Sequence, residues 1–219
     1  MITIIDYGMG NLRSVQKAFE LFYPEVRIGS SFEDILTSDK VVLPGVGAFS
    51  KAMDELKKRN LLGAIADVVK KGMPFLGICL GLQLLFTESE EGGTIEGLGI
   101  LKGRVRRFAD RDGLKIPHMG WNKIKSEIRN PTLRQAQGRP EQGRGTKSEI
   151  LKNVPDNSFM YFVHSYYVEP EDRGVVLCET EYGLTFTSGV QKDNIYGFQF
   201  HPEKSQGQGL KIIKNFAAL

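Results

Sequence analysis

A chain of 219 residues, 41% hydrophobic and 25% charged, has the length and apolar content for one well-packed domain and the composition of an ordinary soluble protein. Its net charge of +3 makes no case for nucleic acid, because residues 126–147 carry four arginines and one lysine against two glutamates and the remainder is neutral. The two cysteines, Cys79 and Cys178, fit no disulfide framework or zinc spacing. With no targeting leader and no apolar run of membrane-spanning length, a cytoplasmic protein without membrane contact is expected.

In chain order, Met1–Asp6 reads as an apolar strand, and Leu12, Val15, Phe19 and Phe22 give Asn11–Phe22 helical spacing. The turn between them, Asp6-Tyr7-Gly8-Met9-Gly10-Asn11, lacks the third glycine of a dinucleotide fingerprint, with Arg13 in its place. No P-loop lysine follows, so it reads as a tight connection. Val41–Leu43 is a buried strand running into Pro44-Gly45-Val46-Gly47-Ala48-Phe49, and a helix is expected from Ser50 to about Lys71. A second apolar run then ends in Gly77-Ile78-Cys79-Leu80-Gly81 and passes into a helical Leu82-Gln83-Leu84-Leu85-Phe86. This is the strand–turn–helix pattern of a nucleophile elbow, with cysteine at the apex. Side chains on the flanking glycines would clash in so sharp a turn. The thiol then projects at a helix N-terminus, where unpaired N–H groups complement negative charge, and the Leu80 amide can serve an oxyanion. Alternating strands and helices argue for a parallel sheet with helices on both faces, whose ligands gather at the carboxyl ends of strands. Both Pro44–Phe49 and Cys79 fall at such ends.

From Leu98 the texture changes to short strands, expected at Gly99–Phe108, Met160–Val168, Val175–Tyr182, Thr185–Gln191 and Ile195–Phe200, with Cys178 as strand core. A helix over Leu210–Leu219 closes the chain. Arg129–Thr146 is rich in Gln, Arg, Gly and Pro and too poor in apolar residues to order itself. Lys-Ser-Glu-Ile precedes it at Lys125 and recurs at Lys147, so about 126–149 reads as an insertion that duplicated its target sequence.

A cysteine nucleophile needs a base, and His118, His164 and His201 are the candidates. His201 is preferred because it follows a strand that Pro202 ends, with Glu203 placed to orient the imidazole. His118 and His164 read as polar residues at strand ends. Three scattered histidines imply no metal.

Gly77–Gln83, Pro44–Gly47 and Gly197-Phe198-Gln199-Phe200-His201-Pro202-Glu203 resemble the three signatures of class I, triad-type glutamine amidotransferases. Asp6–Asn11, Pro117-His118-Met119-Gly120-Trp121-Asn122 and Tyr161–Tyr167 are similar to segments of the glutaminase subunits of imidazole glycerol phosphate synthases, and the likeness runs the length of the chain. The resemblance implies one flavodoxin-like α/β domain over 1–219, its sheet mostly parallel or mixed, with helices on both faces and antiparallel strands in the second half. It implies a catalytic triad of Cys79, His201 and Glu203, and an oxyanion hole from Leu80 and the Gly45–Val46 turn. Gln83, Glu91, Ser165 and Tyr166 would bind glutamine. No cofactor is implied. Ammonia would pass to a separate (β/α)8-barrel cyclase in histidine biosynthesis, docked against Asn11, Met119, Trp121 and Asn122. The nearest alternative is a glutaminase serving another ammonia-using synthase, and the Pro-Gly-Val-Gly turn argues against the pyridoxal phosphate branch.

Overall fold

A computed structural model describes residues 1–110, 113–126 and 148–219, so the Arg129–Thr146 segment lies outside the described residues. The first half alternates strand and helix: β1 (Ile2–Ile5), α1 (Leu12–Glu20), β2 (Val26–Gly29), α2 (Phe32–Leu36), β3 (Lys40–Gly45), α3 (Phe49–Lys58), α4 (Leu61–Lys70), β4 (Phe75–Cys79) and α5 (Leu80–Leu84). The second half is strand-rich: β5 (Phe86–Ser89), β6 (Ile95–Glu96), β7 (Leu101–Arg107), β8 (His118–Lys123), β9 (Phe159–His164), β10 (Tyr166–Pro170), β11 (Val176–Glu181), β12 (Thr185–Lys192) and β13 (Ile195–Phe198), closed by α6 (Gln206–Ala218).

The main sheet runs β2-β1-β3-β4-β13-β12-β10-β7-β5-β6, with β11 beside β12. Its first five strands are mutually parallel, and β13 then pairs antiparallel with β12. Strand periodicity divides the core between two faces. Ile2, Ile4, Val42, Leu76 and Ile78 pack under α1 and α6, where Phe19 meets Phe216 edge-to-face at 5.9 Å. Ile5, Val41, Leu43 and Phe75 pack under α3 and α4 against Leu56, Ile65 and Val68. Both faces of these strands are covered, which is why their sequences read as continuous apolar runs.

Four expected elements differ in the structure. The helical run expected over Leu82–Phe86 is the short α5, which starts directly after Cys79 and ends at Leu84, and Phe86 begins β5. The helix over Ser50 to about Lys71 is two helices, α3 and α4, broken at Asn60, whose φ of 57° is a left-handed conformation that asparagine tolerates. The strand over Met160–Val168 is also two. Among the described strands β9 pairs with β8 in a small two-stranded antiparallel sheet, whereas β10 joins the main sheet, and the Ser165 carbonyl between them accepts from the Phe108 amide at 3.1 Å. The last helix begins a turn early, at Gln206, because a 3-10 turn over Pro202–Lys204 leads into it. Among the described residues no helix is long and apolar enough to cross a membrane.

Candidate active site

Three neighbouring parallel strands bring the site together at their carboxyl ends. In register, Gly45 of β3 lies beside Cys79 of β4, and Ile78 lies beside Phe198 of β13. Gln199, Phe200 and His201 follow directly on β13.

Cys79 sits at φ 55° and ψ −109° between β4 and α5, a backbone state that costs a residue with a β-carbon about 1–3 kcal/mol. The glycines on either side make the turn possible. A Cβ on Gly77 would lie 2.7 Å from the Gly81 carbonyl oxygen, and one on Gly81 would overlap the Leu43 carbonyl oxygen. The elbow is thus pressed onto the neighbouring strand, with the Cys79 side chain almost buried. Its Sγ lies 3.8 Å from the Val163 carbonyl oxygen and accepts from Gln199 Nε2 at 3.8 Å.

His201 is held from several sides. Its backbone N–H donates to the Tyr161 carbonyl at 2.9 Å, and Ser205 Oγ donates to its carbonyl at 2.6 Å. Its Nδ1 lies 2.8 Å from Glu203 Oε1, with both side chains nearly sealed from water. Among the described residues Nε2, the ring nitrogen that does not face Glu203, makes no geometrically close hydrogen bond, which leaves it as the atom for proton exchange with the Cys79 sulfur. Burial opposes charge on this imidazole. The interactions with the Cys79 sulfur and with Glu203 outweigh that and push it up to about 10. A base that holds a proton this firmly is suited to taking one from a thiol and to persisting as an ion pair.

The glycine turn after β3 lies against the N-terminal turn. Tyr7 donates from its hydroxyl to the Pro44 carbonyl at 3.0 Å, and a Cβ on Gly45 would strike that hydroxyl. A Cβ on Gly47, at φ 98°, would lie 2.9 Å from Met9 Cε. Val46 between them is exposed. Burial and the nearby Cys79 charge raise the Tyr7 phenol well above its ordinary value, so it remains a donor.

Gln83 is buried, and its Nε2 donates to the Tyr166 carbonyl at 3.0 Å and to Gln199 Oε1 at 3.1 Å. Glu91 Oε2 accepts from the Phe49 amide at 2.8 Å, tying the β5–β6 connection to the start of α3. Ser165 and Tyr166 lie half-buried where β9 passes into β10. On the surface, Met119 and Trp121 are 66% and 46% exposed on β8, Asn122 is half-buried beside them, and the exposed Asn11 caps α1 through the Ser14 amide at 3.3 Å. Among the described residues there is no cluster of three His, Cys, Asp or Glu side chains able to hold a metal.

Gln199, the Tyr7 hydroxyl and the contact between His118 and His164 are not among the features expected from the sequence. Gln199 carried a signal, since it lies inside the Gly197–Glu203 motif two residues before His201. The other two depend on pairings distant in sequence.

An α/β sheet with a cysteine elbow beside a buried His–Glu pair defines an amidotransferase or hydrolase of the elbow type. The glutamine amidotransferase class-I family model matches residues 3–218, and the chain belongs to that family. Its relatives include proteins named imidazole glycerol phosphate synthase subunit HisH. That of Aquifex aeolicus is 49% identical over 214 residues, covering 97% of this chain and 94% of the relative. That of Methanocaldococcus jannaschii is 48% identical, covering all of both chains. A crystal structure of a glutamine amidotransferase superposes with a TM-score of 0.71 at 16% identity, covering all of both chains. The structure of PurLQS from Thermotoga maritima gives a TM-score of 0.66 at 17% identity, covering 98% of this chain and 96% of that one. The last two bear on the fold alone.

Proposed function

We propose that this chain is the glutaminase subunit of an imidazole glycerol phosphate synthase. Cys79 gives its proton to His201 Nε2 and attacks the side-chain carboxamide carbon of glutamine. The tetrahedral oxyanion is met by the Leu80 N–H and by an N–H of the Gly45–Val46 turn, each such donor contributing about 2.7–4 kcal/mol in comparable sites. His201 returns the proton to the leaving nitrogen, and ammonia departs as the glutamyl thioester forms. His201 then takes a proton from water, the resulting hydroxide attacks the thioester carbonyl, and glutamate leaves as the thiol is restored. Glu203 accepts from Nδ1 throughout, fixing the tautomer and stabilising the imidazolium.

Glu91 complements the substrate's α-ammonium, with Gln83, Ser165 and Tyr166 completing the pocket. Ammonia passes to a separate barrel-type cyclase docked on Asn11, Met119, Trp121 and Asn122, where it reacts with a phosphoribulosyl formimino-carboxamide nucleotide, its nitrogen entering imidazole glycerol phosphate as an aminoimidazole carboxamide ribotide is released. The two exposed apolar side chains on β8 support that docking face, because large rigid residues such as tryptophan anchor interfaces. The observation that carries the reading is the strained Cys79 elbow beside the buried His201–Glu203 pair, in a chain 48% identical to a HisH relative over the full length of both.

A glutamine analogue bearing an electrophilic diazoketone in place of the carboxamide tests the chemistry. Mass mapping is expected to find one adduct, on Cys79, with free glutamine protecting. Labelling of Cys178 alone, or no protection by glutamine, would contradict the reading.

A further inference from the structure

A buried line of hydrogen bonds runs from β8 to the Cys79 sulfur. Asn122 Nδ2 lies 3.3 Å from His118 Nε2, and His118 Nδ1 lies 2.9 Å from His164 Nε2. His164 Nδ1 lies 2.8 Å from the Tyr166 carbonyl oxygen. That oxygen also accepts from Gln83 Nε2, which reaches on to Gln199 Oε1, and Gln199 Nε2 reaches Sγ.

One atom sets every orientation along this line. The Tyr166 oxygen can only accept, so His164 carries its hydrogen on Nδ1 and, uncharged, accepts at Nε2. His118 must then donate through Nδ1 and accept at Nε2, where the Asn122 amide nitrogen faces it. From the other side, Gln83 presents its NH2 to the Tyr166 oxygen and to Gln199. Gln199 therefore turns its carbonyl toward Gln83 and its NH2 toward the sulfur. A further proton on either histidine would meet a donor already in place. Burial acts in the same direction, holding His118 down to about 4 and His164 down to about 3. Gln199 is fully buried, and both ends of its amide are engaged in this line, one on Gln83 and the other on the sulfur.

Building on the reading of Cys79 as nucleophile, we propose that Gln199 steadies the reactive sulfur by N–H donation, and that the uncharged His118–His164 pair positions it through Tyr166 and Gln83. Gln199 touches the reacting atom, and the two histidines are positioning residues.

The test follows alkylation of Cys79 by iodoacetamide, assigned by peptide mass, together with glutaminase turnover, for full-length Gln199→Met, His164→Leu and His164→Asn. Methionine matches glutamine in length and bulk without a donor. The asparagine amide stands where His164 Nδ1 stands and keeps the bond to Tyr166. Gln199→Met and His164→Leu are each expected to slow alkylation at neutral pH and lower kcat about tenfold, with KM within about twofold, and His164→Asn to recover most of the loss. Wild-type alkylation in Gln199→Met would overturn the proposal. So would His164→Asn as slow as His164→Leu, which would mean that only the bulk of the ring matters. Should His164→Leu fail to fold, the Gln199→Met result decides. A Cys79→Ala control separates the two levels. If it still releases glutamate, the nucleophile assignment falls and this proposal with it. If it is inert while Gln199→Met is unimpaired, only this proposal falls.

Discussion

Cys79 can hold its positive φ because its neighbours make room for it, and the consequences can be separated residue by residue. Gly81→Ala is expected to destabilise the fold by more than about 3 kcal/mol in urea unfolding, since its Cβ would overlap backbone of β3. Gly72→Ala is the control: its φ is 74° but a Cβ there meets nothing within 4 Å, so it should cost about 1 kcal/mol. At the other half of the site, Glu203→Gln keeps the shape but removes the charge beside His201 Nδ1. A fall in kcat of about 10³-fold or more, with KM little changed, is the expected outcome of steady-state kinetics. His201 also gives stability a pH dependence. Its folded value, about 10, lies above the ordinary 6.5, so the folded state binds the proton more tightly. The stabilisation is complete below pH 6.5 and is lost as pH rises toward 10. Denaturant titrations across that window should show the decline, and Glu203→Gln should weaken it, the Cys79 contribution remaining.

At the scale of elements, what the sequence made legible was what short-range sterics dictate. Gly77 and Gly81 around Cys79 define the β4–α5 elbow, and Pro202 opens the 3-10 turn just after the histidine, β13 itself having ended at Phe198; both are local constraints written in adjacent residues. The break between α3 and α4 was not read, although the apolar stripe shifts out of helical phase between Leu56 and Leu61 and Lys57-Lys58-Arg59 before Asn60 is a helix C-terminal pattern. Nor was the division between β9 and β10, since both strands are apolar and they part only when each finds a different sheet. The packing of the N-terminal turn on the glycine turn after β3 was hidden for the same reason: Tyr7 and Pro44 are neighbours only in the fold. Tyr7→Phe tests that contact. Losing the hydroxyl leaves the buried Pro44 carbonyl without its Tyr7 donor, and thermal unfolding should register a loss of about 1–2 kcal/mol.

For the whole molecule, the sheet has two jobs. Its parallel half presents Gly45, Cys79 and the approach to His201 at one edge, and its antiparallel half, with the small β8–β9 sheet, surrounds them. His118 and His164 face each other because β8 and β9 pair in register, a relation across 46 residues that no local pattern discloses, so each looked like an isolated polar strand end. Their folded values, about 4 and about 3, lie below 6.5, so the unfolded chain binds the extra protons. Stability is therefore complete above pH 6.5 and declines as pH falls toward 3, by roughly 2–3 kcal/mol for each buried ring by pH 4. Replacing His118 with phenylalanine should weaken that acid dependence in unfolding experiments, whatever it does to stability at neutral pH.

The measurement closest to the central claim is glutamate release from glutamine by the purified chain, alone and with the proposed cyclase and its nucleotide ligand, beside Cys79→Ala. The account predicts low release alone, strong stimulation in the complex, and none from Cys79→Ala under any condition. Undiminished release from Cys79→Ala, or no release from the intact chain in the assembled complex, would contradict it.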